Sequence, residues 1–321
     1  MNVTRIYLRI PFLHAVATLI ALFSYSGAGG AYAQGASVEE ILEKADKQRQ
    51  VYVREFQNLI ATETKHFETF GEDGVPKKRR VIRAVFVILQ VPGSETGEEF
   101  RHVLEVDGKA VEGADVRAQK FFEKTSSSEA KERKRIYEES LRHDLDIIIN
   151  GFTRNPSPVL EKHIWPFFDY KLLGMETLSG NKVYKITFQQ MRPCPFIWVN
   201  RQPRSISIVP VLTYNVGFPD FEEMNESLRG TLYIDIETFR IVREERALTI
   251  FPKDFPAPVL VDENVFEYQP SPFGIRTPRS ILHTNYEIHF KQKRSTKRAV
   301  VRIEYSSFSK PDVEVRPGTL E

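Results

Sequence analysis

The chain has 321 residues, and its 45 Lys and Arg nearly cancel 43 Asp and Glu, so no global charge draws it to nucleic acid. Its 17 Gly and 19 Pro are ordinary shares, which excludes collagen-like and wholly disordered chains. With 41% hydrophobic and 12% aromatic residues it can build a large core, and its one Cys, Cys194, excludes an internal disulfide or a four-Cys zinc site.

The first residues read as an export address. Arg5 and Arg9 make a basic start, and the apolar run at 15–23 is too short to span a bilayer comfortably. Ala31-Tyr32-Ala33 then fits a signal-cleavage pattern, so cleavage is expected between Ala33 and Gln34. Losing both Arg leaves 43 charges of each sign. No later stretch approaches the ~20 uncharged apolar residues of a membrane span. The mature chain is therefore expected to be soluble. Export without a disulfide fits a bacterial periplasm.

Ser37 and Glu40 form a capping box, and Val38, Ile41, Leu42 and Ala45 have helical spacing, which predicts a helix to about Phe56. A strand at 59–70 ends in the turn signal Gly71-Glu72-Asp73-Gly74. The segment 81–91 is apolar at alternate positions on both faces and therefore needs cover on two sides. A strand at 100–106 runs into the hairpin signal Asp107-Gly108. Helical character returns near 114–124, and a second capping box, Ser126 with Glu129, predicts a helix with the stripe Ile136, Tyr137, Leu141, Leu145, Ile148 and Ile149, capped at Gly151.

From Asn155 onward strands dominate. Those at 183–189, 231–236, 241–250 and 259–268 precede a last pair with clear alternation. Leu282, Tyr286, Ile288 and Phe290 are expected to share one inner face with Val301, Ile303 and Tyr305. Helices early and a meander late give an α+β layout rather than a βαβ repeat. One domain over 34–321 is expected, with a helical insertion around 113–155.

No zincin, P-loop or dinucleotide motif is present. Cys194 sits between two prolines with no visible base partner, and His283 and His289 lie six residues apart on a polar strand face, which gives no metal set. No catalytic residue, metal or cofactor is assigned, and the chain is read as a non-enzyme. Two basic clusters, Lys77–Arg80 and Lys291–Arg294 with Lys297 and Arg298, read first as solvated tips and secondarily as attraction to acidic lipid headgroups. The tract His163-Ile164-Trp165-Pro166-Phe167-Phe168-Asp169-Tyr170 and the later Phe196-Ile197-Trp198 build core or line an apolar pocket. Trp165, Phe167, Phe168, Trp198, Tyr286 and Phe290 are the candidate lining.

The hairpin 230–245, with Gly230, Ile234, Asp235, Thr238, Ile241, Arg243 and Glu245 in its pattern, resembles that of the outer-membrane lipoprotein carrier and sorting (LolA/LolB-like) superfamily. That resemblance implies a curved antiparallel half-barrel with helices on its concave side, holding acyl chains in the periplasm. A lipid or acylated protein is then the implied partner, with peripheral membrane contact and no nucleic acid. Two other readings stand beside it: a ligand-free scaffold of an envelope complex, docking through the helical insertion, and a hydrolase assembled from scattered residues.

Overall fold

The structure is a computed structural model that describes residues 36–90, 97–114, 121, 130–145, 147, 151–199, 211–214 and 225–310. The export segment, Ser126, Glu129, Ile148 and Ile149 lie outside the described residues. The chain divides into a short unit, Met1–Ala36, and a compact unit, Ser37–Glu321.

Within the second unit, Ser37 caps α1 (Val38–Glu55) by accepting from the Glu40 backbone N at 3.1 Å. Ile41, Leu42, Ala45 and Tyr52 form its buried stripe, as the spacing requires. The strands β1 (Leu59–Phe70), β2 (Pro76–Leu89), β3 (Glu98–Val106) and β4 (Lys109–Ala110) follow. The β3–β4 turn uses Asp107 (φ 53°) and Gly108 (φ 75°), the left-handed pair that a tight hairpin needs. Helix α2 (Ala130–Leu141) and two 3₁₀ turns, Pro158–Leu160 and Trp165–Phe167, lead to β5 (Phe168–Leu178) and β6 (Asn181–Gln190). A short parallel pair, β7 (Ile197–Val199) and β8 (Leu212–Tyr214), precedes the meander β9 (Asn225–Asp235), β10 (Ile241–Phe251), β11 (Val259–Pro270), β12 (Arg276–His289) and β13 (Arg294–Ser309).

Eleven strands make one open antiparallel sheet, ordered β4-β3-β2-β1-β13-β12-β11-β10-β9-β6-β5. The two ends of the chain's sheet region meet in its middle, where β1 pairs with β13. One face of the sheet is covered by α1 and by the strap 151–167. The strap bonds to α1 through Asn155, whose Oδ1 accepts from Arg49 at 2.8 Å, and through the Thr153 carbonyl, which accepts from the Tyr52 hydroxyl at 2.8 Å.

Strand β2 meets the expected need for cover on two sides. Ile82, Ala84, Phe86 and Ile88 are buried on the covered face. On the opposite face Val87 joins Phe100, Phe121 and Ile136 of α2 in a small core, with Val85 and Leu89 packed against it. The two helices therefore lie against different faces, because β2 is apolar on both. Helix α2 also stops at Leu141, ten residues before Gly151, so that glycine (φ 76°) serves the strap rather than the helix end.

The last hairpin differs from its expected register. Ile281 pairs with Ile303 and His283 with Val301, while Leu282 stands beside Arg302 on the opposite face. A register shift between Asn285 and Tyr286 intervenes further along, and Phe290 lies just beyond β12. Each strand alternates as read, but alternation within two strands does not say which residue of one stands opposite which of the other.

Candidate functional site

The covered face has a polar middle and an apolar flank. In the middle, β1 places Glu63 and Lys65 in the same stripe as Leu59, Ala61 and Phe67, and all five are buried. Arg101 of β3 donates to Glu63 at 2.8 and 3.0 Å and to Glu99 at 3.1 Å, and its guanidinium lies 5.2 Å from the Phe86 ring centre. Lys65 donates to Asp144 at 2.7 Å. Glu99 also accepts from the Thr153 hydroxyl at 2.6 Å and from the Gly151 backbone N at 3.2 Å, which fastens the strap. Burial alone would push the Glu99 carboxyl up, but Arg101 and these donors hold it below the usual range.

A second buried polar group sits on β10–β12. Ser157 of the strap donates to Glu244 at 2.6 Å, and Arg246 stacks on Phe266 at 4.5 Å. Asp262 accepts from Asn264, whose Oδ1 lies 2.8 Å from Nδ1 of His283. Burial pushes the Asp262 carboxyl up to about 7 and, with Arg246 nearby, the His283 imidazole down to about 4. His283 is therefore neutral at pH 7. Its place on a polar strand face predicts exposure, yet it is 7% exposed, because register puts it opposite Val301 with Phe152 of the strap 5.7 Å from its ring.

The apolar flank spans β5, β6, β9 and β10. Ile186, Phe188, Leu228, Leu232, Leu248 and Ile250 are buried. Gly230 is required here for a close approach: a Cβ would stand 2.0 Å from the Glu245 carbonyl and 2.5 Å from the Phe188 ring. The cover over this flank is built from turns and loop rather than helix. Val159, Leu160, Ile164, Cys194 and Ile197 are buried in it. The Tyr170 hydroxyl donates to the Val159 carbonyl at 2.5 Å and the Trp165 indole to the Leu160 carbonyl at 2.9 Å, so both rings pin the 3₁₀ turns. Phe168, Tyr170 and Phe188 stand within 6.4 Å of one another, centre to centre, and Phe196 bridges His163 at 4.3 Å and Phe167 at 6.2 Å. Burial pushes the Cys194 thiol up, which disfavours the thiolate form.

The structure brings Trp165, Phe167 and Phe168 together at the start of β5, with Phe168 buried and the other two half-buried. Trp198 is half-buried on β7, where its indole donates to the Pro195 carbonyl at 3.0 Å. Tyr286 and Phe290 are elsewhere. Tyr286 bonds Glu263 across the strands, and Phe290 packs edge-on against Phe255 at 5.5 Å with 41% exposure. Sequence reading missed the two buried charge groups. Their one signal was the parity of Glu63 and Lys65 with an otherwise apolar stripe.

Preformed space is unevenly placed. A cavity of about 20 Å³ between α1 and the β9–β10 and β11–β12 turns, lined by Tyr52, Arg240, Ile241 and Tyr268, has room for a water. A groove of about 610 Å³ crosses β5, β6 and β9–β12 and is lined by alternating charges, among them Lys171, Arg229, Glu245 and Glu263. Among the described residues no three His, Cys, Asp or Glu converge as metal ligands, and no helix is long and apolar enough to cross a membrane.

No family model matches the chain, and no curated protein matches it. Similar solved structures include a domain assigned to outer membrane lipoprotein sorting from Vibrio parahaemolyticus, 12% identical, covering 87% of this chain and 96% of that one at a TM-score of 0.37. A DUF1329 family protein from Desulfovibrio piger (12% identity, 87% and 95% coverage, TM-score 0.31) is similar too. So is a LolA superfamily protein from Nitrosomonas europaea (12% identity, 87% and 95% coverage, TM-score 0.26). The functional reading rests on the geometry of the site.

Proposed function

We infer that the protein is an exported, non-catalytic binding protein that takes a lipid or protein-linked acyl chain beneath the loop-built cover of its apolar flank. One observation carries the reading. The flank is a continuous apolar surface whose cover consists of 3₁₀ turns and loop with apolar side chains on its inner side, while the polar middle is locked by buried ion pairs. An acyl chain admitted there gains about 0.8 kcal/mol per buried methylene, so no polar recognition is required. Trp165, Phe167, Phe168 and Trp198 would rim the opening. Tyr286 and Phe290, on the far strands, would not take part.

The filled state of the covered face favours a second reading, an envelope scaffold with no small ligand. A fluorescent fatty acid separates the two. Under the carrier reading it binds, and Trp165→Glu weakens binding about ten-fold or more in a variant that still folds, although loss of the indole's bond to the Leu160 carbonyl lowers its melting temperature somewhat. Absence of binding, with Trp165→Glu lowering only stability, supports the scaffold and makes the rings ordinary core.

A further inference from the structure

The two ends of the sheet differ in chemistry. At one end lie the β1–β2 tip (71–75), the β12–β13 tip (290–293) and the β10–β11 tip (252–258), side by side because β1 pairs with β13 and β11 with β12. The last residues of β6, the first of β5 and the Trp165 turn are at this end too. The 179–180, 236–240 and 271–275 turns occupy the other end.

Exposed apolar side chains are gathered at the first end. Val75 (56%), Met191 (67%), Phe251 (41%) and Phe290 (41%) are four of the seven exposed large apolar residues among those described. The described turns at the opposite end expose none, and the two exposed apolar residues nearer that end, Leu173 (59%) and Met175 (69%), sit on the edge strand β5 rather than on a tip. Cations accompany them. Lys291, Lys293, Arg294, Lys297 and Arg298 are all exposed, and no acidic residue occurs between Glu287 and Glu304. Lys77, Lys78 and Arg79 are exposed on the neighbouring strand, and Lys253 on the third tip. Against these stand Glu72, Asp73, Asp254 and Glu287, with Glu68 engaged by Arg79 at 2.7 Å. Lys297 lies 5.6 Å from the Phe70 ring centre, which holds one cation at the tip row.

We propose that this end docks on an anionic bilayer surface, the cations meeting lipid phosphates and Phe251, Phe290, Val75 and Met191 entering the headgroup region. Isolated exposed apolar residues need no explanation, but a row of them on adjacent tips, interleaved with cations and not repeated on the turns of the opposite end, matches the two needs of interfacial binding: buried apolar area and attraction to anionic lipid. The docking end also carries the Trp165 turn. A chain bound under the flank cover would therefore stand at the membrane side. Docking itself needs no ligand, so it stands or falls apart from the carrier reading.

Co-sedimentation of the protein with phosphatidylcholine vesicles, with and without phosphatidylglycerol, tests this. The expected result is pelleting only with the anionic vesicles, reversed by salt. Replacing Lys291, Lys293 and Arg294 with Gln should lower partitioning roughly a hundred-fold, at on the order of five-fold per charge. The pair Phe251→Ser and Phe290→Ser should weaken it even at low salt, with the melting temperature of both variants near that of the parent. Equal pelleting with neutral vesicles, no pelleting at all, or tip variants that pellet like the parent would overturn the proposal.

Discussion

Asp262 titrates against the fold. Its carboxyl value rises from 3.8 to about 7 on burial, so the folded chain holds a proton that the unfolded chain has lost. The sign follows from linkage: its contribution is present in full below about pH 4 and is lost as pH rises toward 7. Asp262→Asn should therefore gain stability over the parent as pH rises from 4 to 8, by up to about 4 kcal/mol. His283 gives the opposite trend between its folded value of about 4 and its ordinary value of 6.5, and because it lies 3.5 Å from Asp262 the comparison is repeated in a His283→Gln background. Denaturant melts at a series of pH values would show it, and a difference independent of pH would refute it. Arg101 presents the converse case. Arg101→Met leaves Glu63 and Glu99 buried without their cation and should cost about 3–5 kcal/mol, while adding Glu63→Gln should restore part of that loss. A double-mutant cycle checks both.

At the scale of elements, the β6–β9–β10 junction depends on one missing side chain. Gly230→Ala sets a methyl against the Glu245 carbonyl and the Phe188 ring, and a strand backbone cannot yield as a flexible side chain does. A loss of about 3 kcal/mol, at the upper end for overpacking, is expected in urea melts. Sequence reading found this glycine through the hairpin pattern and found α1, β1, β3 and the meander through caps, alternation and turn residues. These signals are local, and local physics sets them. It also read β2 as doubly apolar, and α2 supplies the second cover. What it could not read is pairing across strands. His283 and Leu282 were assigned to the wrong faces because register depends on the partner strand, and Glu63, Lys65 and Arg101 are buried only because three separate segments meet over them.

For the whole molecule, the covered face is divided between a locked middle and a loop-capped flank. The strap 151–167 joins them, bonded to Glu99 at one end and through Ser157 to Glu244 further along. An account in which the flank opens while the middle holds makes the strap's polar anchors structural and its aromatic end functional. The most direct test is mass spectrometry of the organic extract of the protein purified from its native host. The account predicts an acyl-bearing molecule recovered with the parent and depleted from folded Trp165→Glu. A folded parent protein that yields no lipid under native purification contradicts it.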